Sequence, residues 1–157
     1  MKLLLGILAA IVLVPPLVAA PAAAVSTAPR PAPAAALFSW VPPGGFSDRF
    51  PYGQCTWWAA YNRHVTWHGN AGDWLANASA QGFHTQATPS LGAIVVYRPG
   101  SGYSQLGHVG VVIAASTTTY TISEMYVIAF GEVDTRTLWW PDPHVEGFIP
   151  LNREDLQ

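Results

Sequence analysis

Charge is scarce in this chain: 10% of its 157 residues are Asp, Glu, Lys or Arg, and the formal net charge is −2. Seven Lys and Arg scattered along the sequence do not build the clustered basic face of a nucleic-acid binder, so no nucleic-acid partner is expected. Cysteine occurs once, at Cys55, which excludes an internal disulfide. The strongly apolar run Leu3 to Val14 is short for a membrane span, and Pro15-Pro16 interrupts it. Several signatures are missing as well. There is no glycine-rich phosphate loop and no G-x-S-x-G elbow. His64 and His68 have the spacing of a zinc half-site, but Val65 follows His64, so the HExxH pattern fails. With no Cys pair and no acidic loop, neither a metal nor another cofactor is expected.

What is present begins with an export pattern. Lys2 supplies the positive start, and Ala22-Ala23-Ala24 supplies the small residues after which a signal peptidase cuts. Residues 1–24 therefore read as a signal peptide, with an uncleaved anchor as the alternative. A secreted or wall-located protein without stable membrane insertion is expected. Residues 25–45 are rich in Ala and Pro, as in Pro29-Arg30-Pro31-Ala32-Pro33, and read as an extended tether. Residues 46–151 are long enough for one core, and 152–157 read as a C-terminal tail. A single such domain is expected to act as a monomer.

Within 46–151 the pattern changes from helical to extended. Cys55 to about Arg63 follows the turn Pro51-Tyr52-Gly53 and carries Trp58, Ala59, Tyr61 and Asn62 at helical spacing. Asn70 is placed as an N-cap with Asp73 at N3, opening a second helix that carries Trp74, Leu75 and Ala78 and stops at Gly82. Beyond Pro89, strands are predicted over 93–97, 108–115, 119–125 and 147–151, with another within 127–138. Helices first and strands afterwards, on short connections, predict an α+β fold with an antiparallel sheet.

Three residues stand out chemically. Cys55 falls at the first turn of the first helix, where the partial positive charge of the helix end favours thiolate. A lone cysteine is otherwise a small buried hydrophobe. His108 opens an apolar strand between Gly107 and Gly110, with room beside its ring for a partner. The other reading is a satisfied strand-end histidine. Glu124 ends the following strand, and a hairpin across Ser116 to Thr118 returns it towards His108. There it could hold the imidazole tautomer, or be an ordinary solvated acid. His84, His144, Glu132, Asp134 and Asp142 show no paired arrangement and read as surface or structural.

The runs Pro51-Tyr52-Gly53-Gln54-Cys55-Thr56-Trp57-Trp58, Gly69-Asn70-Ala71-Gly72-Asp73-Trp74, Pro89-Ser90-Leu91-Gly92-Ala93-Ile94, Gly107-His108-Val109 and Ser123-Glu124-Met125 strongly resemble the CHAP family. These are the cysteine, histidine-dependent amidohydrolases/peptidases of the wider papain-like and NlpC/P60-like group. Five short motifs in order are far more specific than any one. The resemblance implies a papain-like domain that hydrolyses peptidoglycan, with Cys55 as nucleophile, His108 as base and Glu124 as the acid that orients it. Gln54 is implied as a polar helper near the oxyanion, while Asn70, Asp73 and Trp74 match a motif with structural roles. The bond cut is either the muramoyl–L-alanine amide or a peptide bond of the stem or cross-bridge. In one departure, Tyr126 stands where many members carry Asn, which leaves the orienting duty to Glu124 alone. Two readings from other classes stand beside this one: a non-catalytic wall-binding module of the same fold, and a structural or adhesive domain using aromatic patches.

Overall fold

The computed structural model describes residues 39–46 and 49–156. The expected signal peptide and most of the tether lie outside the described residues. Helix α1 spans Cys55–Asn62, a 3-10 turn covers Ala71–Asp73, and helix α2 covers Trp74–Ala80. Five strands follow: β1 (Ile94–Tyr97), β2 (His108–Ala115), β3 (Thr119–Met125), β4 (Val133–Trp139) and β5 (Val145–Ile149). They form one antiparallel sheet in the order β4-β3-β2-β1-β5.

The central strands are buried on both faces, which is why β1 reads as the unbroken apolar run Ile94-Val95-Val96-Tyr97. One face packs on the helices: Ala59, Ala60, Trp67 and Trp74 meet Ile94, Val96, Val109 and Val111. The opposite face has its own cluster around Val95, Tyr97, Tyr120, Ile122 and Phe148, with Trp140 packed against it. The tyrosine hydroxyls in that cluster are satisfied in series. Tyr97 and Tyr120 share a 2.8 Å hydrogen bond, and Tyr120 donates to Asp142 at 3.0 Å. Strand β4 alternates between exposed and half-buried residues, as an edge strand covered on one side does.

Several boundaries differ from those predicted, β5 for instance starting at Val145. The second helix opens as a 3-10 turn, with the Asp73 amide donating to the Asn70 carbonyl at 2.9 Å, before α geometry begins at Trp74. The last strand ends at Ile149 because Pro150 has no N–H to continue the ladder. Strand β4 begins only at Val133, because Tyr126 adopts φ 71° and Gly131 φ 76°, turning 126–132 out of the sheet as a loop.

Both margins of the domain touch the core. Trp40, in the tether as read from sequence, donates its amide to the Ile113 carbonyl at 2.7 Å. From the C-terminal segment, Asp155 pairs at 2.7 Å with Arg63, which is fully buried. Arg63 also donates to the carbonyls of Gly92, Ile149 and Pro150.

Candidate active site

The turn ahead of α1 is built so that the chain enters the helix at Cys55. Gly53 has φ 90°, and a Cβ there would lie 2.2 Å from the Phe130 ring, so a side chain is excluded on two counts. The Gly53 carbonyl accepts the Gly131 amide at 3.1 Å, which ties this turn to the 126–132 loop. Gln54 follows in extended conformation and Cys55 is the first helical residue. Helix α1 is pinned to the sheet beside the site by Trp58, whose indole N–H donates to Ser123 Oγ at 3.1 Å.

His108 opens β2 and Glu124 lies near the end of β3. In the β2–β3 register Glu124 is opposite Gly110, two residues along from His108 and therefore on the same side of the sheet. Gly110 leaves the space over which the carboxylate reaches the imidazole, since a Cβ there would crowd Glu124 Cβ at 3.2 Å. Glu124 Oε2 lies 2.7 Å from His108 Nε2, with both side chains buried. That bond leaves Nδ1 as the ring nitrogen for Cys55, with which His108 shares a side-chain hydrogen bond. The structure thus brings together Cys55, His108 and Glu124 from one helix and two strands.

Electrostatics favour an ionised pair. Burial pushes the Cys55 thiol up, but the His108 hydrogen bond and charge, with the Val109 and Thr56 backbone N–H groups, outweigh it and hold Cys55 below the ordinary thiol range. Burial works against the His108 cation, yet its bonds to Cys55 and Glu124 and their charges push it up to about 9. Glu124 is also opposed by burial, but bonds to His108 and Arg136 hold it below the usual carboxylate range. All three shifts act in the same sense, favouring thiolate, imidazolium and carboxylate in a row. Such a row supplies a nucleophile and a proton donor side by side.

Two further residues complete the arrangement. Arg136, on β4, donates from Nε to Glu124 Oε1 and from its terminal nitrogen to the Tyr103 hydroxyl. Tyr103 stacks on the His108 ring, with centroids 4.6 Å apart and planes 2° from parallel. The carboxylate expected to orient the imidazole is itself held by Arg136, and the ring face is covered by Tyr103. Neither residue was singled out from sequence. Tyr103 lies in a Gly- and Ser-rich loop without periodicity. Arg136 is two residues from Asp134 on an alternating edge strand, and its only signal is the β3–β4 register that sets Asp134 opposite Glu124.

Cys55 and His108 open into a groove of about 580 Å³ that Gln54, Asn70, Tyr103 and Tyr126 also line. Gln54 thus lines the groove next to Cys55. Asn70 belongs to the groove as well as to its helix start, where its backbone N–H donates to the Asp73 carboxylate at 3.2 Å. Trp74 is fully buried, as its structural reading requires. Tyr126, also lining the groove, makes an edge contact with Phe130, ring centroids 5.5 Å apart.

The CHAP domain family matches residues 45–126, more than half of the chain. The chain belongs to the CHAP family. A Streptococcus mutans serotype c protein named "Putative hydrolase" is 41% identical over 112 residues, covering 67% of this chain and 46% of the relative. "Probable autolysin LDP" of Staphylococcus aureus is 35% identical over 100 residues, covering 59% of this chain and 34% of the relative. A crystal structure of an N-acetylmuramoyl-L-alanine amidase from Staphylococcus aureus superposes with a TM-score of 0.51 at 33% identity, over 59% of this chain and 29% of that one. The matched region spans less than half the length of each of these relatives. The α+β fold is thus the papain-like CHAP fold. Cys55, His108 and Glu124 all fall inside the matched segment, whereas β4 and Arg136 lie beyond it.

Proposed function

We propose that this CHAP domain is a cysteine hydrolase of amide bonds in peptidoglycan. The observation that carries the reading is the continuous row Cys55–His108–Glu124, which opens into the groove at the head of α1. The Cys55 thiolate attacks the scissile carbonyl carbon, and the oxyanion is received by the Cys55 backbone N–H and the Gln54 amide. His108 gives its Nδ1 proton to the leaving nitrogen as the C–N bond breaks, leaving a thioester on Cys55. Water enters, His108 takes its proton, and the thioester is hydrolysed to a carboxylate, restoring the Cys55 thiolate and the imidazolium with release of one proton. Throughout, Glu124 stays ionised and holds the Nε2–H side of the ring.

Relatives named as an amidase and an autolysin support peptidoglycan as the substrate and the cell wall, outside the cytoplasm, as the place of action. The muramoyl–L-alanine amide and a stem or cross-bridge peptide bond need the same chemistry. The test is digestion of purified peptidoglycan beside a Cys55→Ala control, with mass analysis of the fragments. New muramoyl ends identify an amidase and new peptide termini an endopeptidase. No release by folded, reduced protein from several wall types would overturn the reading.

A further inference from the structure

The strand that follows the family-matched segment brings a guanidinium to the rear of the site. Arg136 Nε donates to Glu124 Oε1, the oxygen that His108 does not use, and the terminal nitrogen of the same guanidinium donates to Tyr103 Oη. Its charge centre lies 5.0 Å from the Tyr103 ring centroid, and that ring is the one stacked on His108. A single planar fork therefore fixes both partners of the imidazole, the carboxylate in its plane and the phenol on its face. Lysine, with one point charge, could not reproduce that geometry.

We propose that Arg136 is a positioning residue of the active site, orienting the Glu124 carboxylate and the Tyr103 ring so that His108 is held with Nδ1 towards Cys55. The proposal rests on the hydrolase reading for its effect on turnover, but not for its effect on Glu124. Among the described residues, the charged or titratable groups around Glu124 come from four elements. His108 comes from β2, with Cys55 beyond it on α1. Arg136 and Asp134 come from β4, Asp134 being 3.9 Å from Arg136 Nε, and Tyr103 comes from the 98–107 loop. Arg136 is the one cation among them besides protonated His108, and it makes its closer contact to Glu124 rather than Asp134. Because β4 is an edge strand and Arg136 is about one-third exposed, replacing it spares the core.

The test compares wild type, Arg136→Gln, Arg136→Lys and Tyr103→Phe. The side-chain carboxyl of Glu124 is titrated by carbon NMR and assigned with Glu124→Gln, the chain having four glutamates. In Arg136→Gln its midpoint should rise by about one unit or more, as expected when a carboxylate loses an adjacent guanidinium. Arg136→Lys should recover part of that shift. On peptidoglycan, kcat should fall about tenfold or more in Arg136→Gln with KM little changed, and Arg136→Lys should fall between Gln and wild type. Tyr103→Phe keeps the stacking ring and removes only the acceptor hydroxyl, so it should lower kcat in the same direction by less. An unmoved Glu124 midpoint in Arg136→Gln overturns the proposal, and so does a moved midpoint with unchanged kcat. If Arg136→Gln does not fold, unchanged kcat in both Arg136→Lys and Tyr103→Phe overturns it. Wild-type protein that releases nothing from peptidoglycan overturns the hydrolase reading instead, while the Glu124 titration still decides what Arg136 does.

Discussion

Glu124 reaches His108 diagonally across the β2–β3 ladder: its register partner is Gly110, and its Oε2 lies 2.7 Å from Nε2 of the imidazole two residues away. A carboxylate directly opposite the histidine would stand at position 126, two register pairs beyond Gly110–Glu124, but position 126 turns out of the sheet at φ 71°. The absent side chain at Gly110 makes the diagonal possible. The consequence is a buried imidazole with a carboxylate on one nitrogen, leaving the other to Cys55.

Glu124→Gln keeps the shape and removes the charge. His108 should then fall from about 9 towards the ordinary histidine value, because the imidazolium loses its carboxylate while burial still opposes its charge. Hydrolysis should drop by about 10² or more. Imidazole proton NMR across a pH series, with rate measurements on peptidoglycan, checks both. A His108 midpoint that stays near 9 would assign the shift to Cys55 alone.

Tyr126 is a bulky residue in the left-handed region, where side chains other than Gly, Asn and Asp are strained by about 1–2 kcal/mol. Asn, common at this position in the family, tolerates that conformation, so a backbone reason for Asn exists apart from any contact with histidine. Tyr126→Asn should be more stable than Tyr126→Ala by about 1 kcal/mol, since both lose the Phe130 contact and only Ala keeps the strain. Urea denaturation of the two variants measures the difference. Equal stabilities would mean that the 126–132 loop relaxes at no cost.

Asp155→Ala leaves the fully buried Arg63 without its carboxylate, and removing one partner of a buried ion pair costs about 3–5 kcal/mol. The same denaturation assay should show a large fall in midpoint. A change within about 0.5 kcal/mol, typical of exposed surface sites, would make the C-terminal segment a dispensable tail.

Helix α1, strands β2 and β3, and the hairpin between them were legible because Cys55, His108 and Glu124 sit at element ends marked by glycine, β-branched runs and a Ser-Thr turn. Strand β4 was less legible, because its amphipathic edge pattern runs on from the apolar loop residues Val127, Ile128 and Phe130, and nothing local marks the turn at Tyr126. The second rank of the site escaped for a different reason. Tyr103 and Arg136 are joined to His108 and Glu124 only through the folded sheet, and no spacing in the chain encodes a contact between a loop and a strand 33 residues apart. Arg63 was equally silent: a buried arginine looks like a surface one until Asp155 is seen beside it.

The ionised Cys55–His108 pair is tested most directly by the rate of iodoacetamide alkylation of Cys55 as a function of pH. Cys55 is held below its usual range and His108 is raised to about 9, so the thiolate forms at lower pH than an ordinary thiol's, while the proton donor for the leaving group is lost only as pH rises through about 9. Wild-type alkylation should therefore rise at lower pH than that of an ordinary thiol, and in His108→Ala the rise should move towards the ordinary thiol value of about 8.5. A wild-type rate that climbs only near that ordinary value, unchanged in His108→Ala, would contradict the paired thiolate and with it the nucleophile assigned to this site.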